Sequence, residues 1–184
     1  MPQDPQIERW LQAMTEGIRT NVGLLSVVLP RVSPEAVAAA AAAQGLVQGI
    51  GEDDWVVRFE GPRSDLIVED GEGNVTHWFK FHLLWSKAPG DAVAGVAADL
   101  EKLGKACQGG GTHGYSVAFA QTLETCRLGC EDRLTRGTLD ELVAGATQRL
   151  TAEAGAASPL LGEVVTIQGS GAHGHARLVA WKAA

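Results

Sequence analysis

The stretch HWFKFHLLW, from His77 to Trp85, decides the fold, because its residues alternate in a way that indicates a β-strand. Successive side chains of a strand point to opposite faces of the sheet. One face of this strand therefore carries Phe79, Phe81, Leu83 and Trp85, and the other carries Trp78, Lys80, His82 and Leu84. The first set predicts a core face. A half-solvated strand would place polar residues at most positions of the second set, so the question is what Trp78 and Leu84 touch.

The residues before this strand predict two more strands and a tight connection. The segments DWVVRFE (54–60) and DLIVE (65–69) alternate apolar and polar side chains, and DGEGN (70–74) is typical of a turn. Short polar connections join neighbouring antiparallel strands. The three strands are therefore expected to form an antiparallel meander.

Apolar residues at helical spacing predict four helices, and further period-two segments predict four more strands. The helices cover residues 5–20, 34–44, 93–103 and 138–150, the second stopped by Gly45 and the last opened by the capping box Thr138-x-x-Glu141. The additional strands cover residues 115–121, 125–129, 164–167 and 178–181. This order favours an α+β fold, in which helices pack on one face of an antiparallel sheet.

Composition narrows the function classes. The chain has 184 residues, of which 45% are hydrophobic and 20% charged, and its formal net charge is −7. A negative chain without a basic run disfavours nucleic-acid binding. No segment predicts a secretory signal or a membrane span, and three cysteines make no disulfide framework. We therefore expect a cytoplasmic protein.

No set of residues predicts a catalytic or metal centre. Cys126 and Cys130 lack the second ligand cluster of a structural zinc site, and the glycine-flanked pair His173 and His175 is more typical of a loop than of a metal site. The segment QGGGTHG (108–114) lacks the Gly-Lys-Ser/Thr ending of a phosphate loop. We therefore expect no enzyme activity, no metal and no cofactor.

Together these segments resemble the YbjN-like family, whose fold is that of the type III secretion chaperones: a helix, three strands, a helix, two strands and a helix. The residues that carry the resemblance lie between Ser33 and Ala152 and read GEDDWVVRFEG, DLIVEDGEG and HWFKFHLLW, then VAGVAADLEKLGKA, then YSVAFAQTLETCRLGCEDRLTRGTLDELVAGATQRL. The resemblance implies a dimerising, partner-binding module. It also implies a domain at 33–152, an N-terminal helical extension at 1–32 and a C-terminal extension of short strands at 153–184.

The second face of the strand at 77–85 is the predicted partner-binding surface. Its residues are Trp78, Lys80, His82 and Leu84, together with Val56 and Arg58 from the first strand. An apolar patch with a basic rim is typical of a subunit or client interface. Two interpretations stay open. This face could bind a partner, or the N-terminal helix or the C-terminal strands of the same chain could cover it.

The leading hypothesis is a non-enzymatic, chaperone- or adaptor-like homodimer that binds a protein client. The alternative is a small-ligand or metal-binding regulator, and its candidate residues are His113, the Gly109 to Gly111 loop and the His173/His175 pair.

Overall fold

The structure, a computed structural model, describes residues 5–28, 34–50, 55–60, 65–85, 89–122, 124–125, 136–169 and 172–184. These residues form one mixed sheet with helices on both of its faces. The predicted α+β class is confirmed. Among the described helices, none has the length and apolar character needed to cross a membrane.

The element order agrees with the prediction through the middle of the chain. The helices are α1 (Pro5–Thr20), α2 (Val22–Val28), α3 (Pro34–Ile50), α4 (Pro89–Ala106) and α5 (Arg136–Ala154). The strands are β1 (Val56–Glu60), β2 (Asp65–Glu69), β3 (Val75–Trp85), β4 (His113–Gln121), β5 (Glu124–Thr125), β6 (Leu160–Leu161), β7 (Val165–Gln168) and β8 (Ala172–Lys182). Most of the predicted strand at 125–129 lies outside the described residues.

The sheet has the strand order β1-β2-β3-β4-β8-β5, and β6 and β7 also pair with β8. The meander of β1, β2 and β3 is antiparallel as predicted, with Arg58 opposite Ile67 and Ile67 opposite Trp78. Strands β3 and β4 are parallel, with Phe79 beside Tyr115. The prediction of an antiparallel sheet is wrong at this pair, because α4 returns the chain along the sheet before β4 begins, as a crossover between parallel strands does.

Helices α1 and α3 cover one face of the sheet, which we call the front face. An aromatic cluster joins them to the meander: the ring centroid of Trp10 lies 4.5 Å from that of His77 and 5.4 Å from that of Trp55. Phe79 and Tyr115 stack next to it at 5.7 Å. The N-terminal helix is therefore part of the core that the sheet needs.

Helices α1 and α3 approach each other backbone to backbone. A Cβ on Gly45 would lie 2.1 Å from the carbonyl oxygen of Ala13, and a Cβ on Gly17 would lie 2.1 Å from that of Ala41. Only glycine allows such an approach. The prediction that Gly45 ends the helix is wrong, because this glycine lies in a packed interface and α3 continues to Ile50.

Helices α4 and α5 cover the opposite face, which we call the reverse face. Their shared core contains Leu84 of β3, Ala118 of β4, and Val179 and Trp181 of β8. The prediction that helices pack on one face only is therefore wrong. The crossover helix α4 has to lie against one face of the sheet, and the front face is already occupied by α1 and α3. Neither α1 nor the C-terminal strands provide this cover, since α1 lies on the front face and β8 is inside the sheet.

Candidate protein-binding surface

The six residues predicted to bind a partner project from the reverse face of β1 and β3, as strand alternation requires. They fall into two groups, because α4 packs on β3 and β4, and α5 packs mainly on α4 and to a smaller extent on β4 and β8. Strands β1 and β2 lie beyond this cover. The position of each residue along the sheet therefore decides whether it is buried.

His82 and Leu84 lie beneath the chain's own helices. Leu84 is 1% exposed and belongs to the same core cluster as Val93 and Val96 of α4. His82 Nε2 lies 3.0 Å from Asp99 Oδ2 of α4, and both side chains are less than one-fifth exposed. Neither residue offers a large surface to another polypeptide, so the structure removes both from the predicted partner surface.

The fit of α4 over His82 depends on a glycine. A Cβ on Gly95 would lie 3.3 Å from both Cε1 and Nδ1 of the His82 ring, which is tighter than ordinary van der Waals contact. Asp99 also lies 3.4 Å from Lys102 Nζ. The imidazole thus sits between a carboxylate and the helix backbone, in a structural contact between α4 and the sheet.

The other four predicted residues, Val56, Arg58, Trp78 and Lys80, remain at least partly exposed, and we call them the open corner. Val56 is 53% exposed, the Arg58 side chain is 48% exposed, and Trp78 and Lys80 are half-buried. The open corner reaches the margin of the molecule because β1 is the first strand of the sheet.

Ile67 of β2 forms the floor of the open corner. In the sheet register it lies between Arg58 on one side and Trp78 on the other, and it is only 2% exposed. Long side chains with polar ends commonly cover apolar neighbours with their stems. The open corner therefore combines an apolar body with cationic groups at its margin.

Two charged side chains lie at the margin of the open corner. Arg58 Nη2 lies 2.7 Å from Glu69 Oε1, and this ion pair joins β1 to β2. Lys80 adds a second cation on β3. Both cations of the open corner therefore lie within the meander of β1, β2 and β3.

The residues proposed for metal binding do not come together. The described part of the chain contains no group of three or more His, Cys, Asp or Glu side chains placed to hold a metal ion. His173 and His175 lie on β8 rather than in a loop, and His175 Nδ1 is 3.4 Å from Thr166 Oγ1. Cys126 and Cys130 lie outside the described residues.

The glycine-rich segment and the remaining cysteine form the connection from α4 to β4. Gly110 and Gly111 have φ angles of 77° and 88°, and no other group approaches the places of their missing Cβ atoms. Their conformation is that of an exposed turn. His113, the first residue of β4, lies with its ring 5.2 Å from that of His77. Cys107 is half-buried, and burial raises the pKa of its thiol.

Sequence reasoning missed a cleft of about 1060 Å³ between α4, the segment that follows α5, and the end of β8. Alanine and glycine make up about half of the residues that line it, so small side chains leave the space open. Lys105 Nζ lies 2.6 Å from Glu101 Oε1 at its margin, and this hydrogen bond lowers the pKa of Glu101. Lys182 Nζ lies 6.0 Å from the centre of the Tyr115 ring. The only signal in the sequence is the run of small residues after α5.

The pairing of His82 with Asp99 was also missed. Helical spacing places Asp99 beside the buried positions Val96 and Leu100 of α4. Helical spacing does not show which face of which strand α4 covers.

Comparison with known proteins yields no matching family model, curated protein or solved structure.

Proposed function

We propose that the protein is a non-catalytic, cytoplasmic protein-binding module that works as a homodimer and binds a protein client at the open corner, like a chaperone or an adaptor. The observation that carries this proposal is the combination of exposed Val56 with Trp78, Arg58 and Lys80 beside the outermost strand of the described sheet. Helices of the same chain cover much of the rest of the reverse face.

The composition of the open corner supports protein binding over other surface roles. Tryptophan and arginine are enriched at the positions that dominate binding energy in protein interfaces. Such positions are surrounded by polar groups that exclude water from the contact. In the open corner Trp78 lies next to the buried Ile67, and Arg58 and Lys80 provide the polar margin.

The chemistry of the open corner indicates what the client offers. Arg58 and Lys80 bring polar, cationic groups to its margin, so polar side chains of the client would lie there. The apolar part around Val56 and Trp78 would take an aliphatic or aromatic side chain. The client segment therefore combines apolar residues with polar ones.

Charge reversal at Lys80 tests the client site. The wild type, Lys80→Glu and Lys105→Glu serve as baits in a native lysate, and quantitative mass spectrometry measures what each one binds. Lys105 lies on α4 with its side chain 69% exposed, so its substitution makes the same change in net charge away from the open corner. We expect a client that binds to the wild type and to Lys105→Glu and is lost with Lys80→Glu. If no bound protein depends on Lys80, the client site is not the open corner.

The cleft supports a second candidate function, binding of a small ligand. Ligand pockets typically measure about 300–1,000 Å³ and are mostly apolar with a few polar groups, and this cleft is of that order. Native mass spectrometry of gently purified protein tests this function directly. A ligand that is released on denaturation would favour the regulator, and a mass equal to that of the bare chain would count against it.

A further inference from the structure

Among the described residues, no strand pairs with one of the two edges of β1. Strand β1 pairs with β2 on one side and begins the strand order of the described sheet. An open edge of this kind can pair with a strand from another polypeptide. Natural edges are often protected by charged side chains, but the charge in the middle of β1, Arg58, is held by Glu69 of the neighbouring strand.

A hydrogen bond on the far side of β2 shows which backbone groups of β1 are available. Thr76 Oγ1 of β3 donates to the carbonyl oxygen of Val68 at 3.1 Å, so this carbonyl points towards β3 and away from β1. The N–H and C=O of one strand residue point to the same side. Val57 lies opposite Val68, and its own N–H and C=O therefore point outward, to the open edge.

We infer that two copies of the chain join through β1, which pairs antiparallel with β1 of the second copy about Val57. This inference rests on the homodimer of the proposed function and names the surface that forms it. In a symmetric antiparallel pair one residue lies opposite itself. With Val57 at the centre, Val56 lies opposite Arg58 of the second copy, and Trp55 lies opposite Phe59 of the second copy.

A β1–β1 pairing centred on Val57 is more favourable than a pairing centred on Arg58 for two reasons. The outward groups of Trp55, Val57 and Phe59 form about six backbone hydrogen bonds across the pair, whereas a register about Arg58 forms about four over the same residues. A register about Arg58 also puts two guanidinium groups directly opposite each other, which is destabilising. The Val57 register keeps each Arg58 beside its own Glu69.

The same pairing joins the two reverse faces. A two-fold axis perpendicular to the sheet keeps equivalent faces on the same side. The open corners of the two copies then lie next to each other and form one continuous surface. The dimer therefore doubles the area of the client site that the proposed function requires.

Charge substitutions at Val56 test the register. Because residue 56 lies opposite Arg58 of the second copy, Val56→Arg creates two like-charge pairs between the copies, whereas Val56→Glu creates two opposite-charge pairs. The contact of residue 56 with Glu69 of its own chain is the same in monomer and dimer. Cross-strand pairs of this kind change affinity by a factor that we expect to be about 2- to 30-fold for the two pairs together. Sedimentation velocity over a concentration series should show a wild-type dimer, a weakened Val56→Arg dimer and a Val56→Glu dimer at least as tight. Val47→Arg is the matched control, since Val47 lies on α3 and is 57% exposed.

Cysteine crosslinking gives an independent measurement. A cysteine at position 57 lies opposite its equivalent in the second copy, at a distance that a disulfide can span. Val57→Cys should give a disulfide-linked dimer under mild oxidation, with the bond assigned by peptide mapping, and Arg58→Cys should stay at the wild-type background.

Three results would overturn the inference: a monomeric wild type, equal weakening by Val56→Arg and Val56→Glu, or crosslinking at position 58 in place of 57. If the wild type is monomeric and still binds a client through Lys80, the client site is supported and only the dimer is refuted. If the dimer has the expected register and no client binds, the dimer is supported and only the client site is refuted.

Discussion

Replacement of Gly45 by alanine should destabilise the fold, although alanine is the better helix former. The added methyl group would lie 2.1 Å from the carbonyl oxygen of Ala13, 2.6 Å from the nitrogen of Gly17 and 2.7 Å from its Cα. All three are backbone atoms of α1, so no side-chain rotation relieves the clash. The two helices must move apart by roughly 1 Å to restore normal contact distances.

The expected free energy change follows from two opposing effects. Forcing an extra methyl group into a packed interface, and losing dispersion contacts along the separated helices, costs about 3–4 kcal/mol. The higher helix propensity of alanine returns about 1 kcal/mol. The net loss is about 2–3 kcal/mol, which for a chain of this size lowers the Tm by about 4–12 °C.

Gly145 provides a matched control in the same kind of element. It lies on the exposed side of α5, and no other group lies within 4 Å of the place of its missing Cβ. Gly145→Ala should therefore stabilise the protein by about 0.5–1 kcal/mol through helix propensity alone. Urea unfolding followed by circular dichroism measures both variants. If Gly45→Ala is as stable as Gly145→Ala, α1 and α3 do not pack through Gly45 as described.

Three further predictions test the burial and electrostatics of individual residues. Leu84→Ala should lower the free energy of unfolding by about 2–5 kcal/mol because Leu84 is in the reverse-face core, whereas Leu161→Ala, at a residue that is 50% exposed, should cost less than about 1 kcal/mol. If Leu84 faced a partner instead, its replacement would weaken association and leave the stability of the monomer nearly unchanged. Hydrogen bonds from the 70–74 turn lower the pKa of Asp70 below 3.8, so its contribution to stability should be present above pH 3.8 and vanish as the pH falls through the folded-state pKa. An NMR titration of the Asp70 carboxyl measures that pKa, and a stability difference between wild type and Asp70→Asn that persists at lower pH would contradict the turn. The raised pKa of Cys107 should make its alkylation slower than that of a free thiol at neutral pH, and peptide-resolved labelling that shows equal rates would contradict its burial.

The meander could be predicted from the sequence because its signals are local. Alternation in β3 fixes which residues share a face, and the 70–74 turn brings β2 beside it. The hydrogen bonds that Asp70 Oδ1 accepts from the backbone of Glu72 and Asn74 hold this turn. Such features depend on residues within a few positions of each other, and a single sequence contains them.

The role of Gly45 could not be predicted in the same way. Within α3 alone a glycine after an alanine run indicates a helix end. The close approach to Gly17 depends on how α1 is placed, and nothing near Gly45 in the sequence contains that information. No helix was predicted at α2, and β8 was predicted only at 178–181. The reason is related, since the extent of both elements depends on tertiary packing as well as on the local pattern.

The second face of β3 shows why composition alone did not locate the partner surface. Tryptophan and leucine on a strand indicate that something apolar covers them, and a helix of the same chain fits that requirement as well as a second molecule does. The connection between β3 and β4 distinguishes these two kinds of cover. A helix of 18 residues spans about 27 Å at 1.5 Å per residue, enough to return the chain along most of β3 and make β4 parallel to it. A crossover helix has to pack against one face of the sheet, and with α1 and α3 on the front face it covers His82 and Leu84 on the reverse face. Its main contacts with the sheet are with the two strands that it connects. Among the described residues, Val56, Arg58, Trp78 and Lys80 therefore stay at least partly exposed.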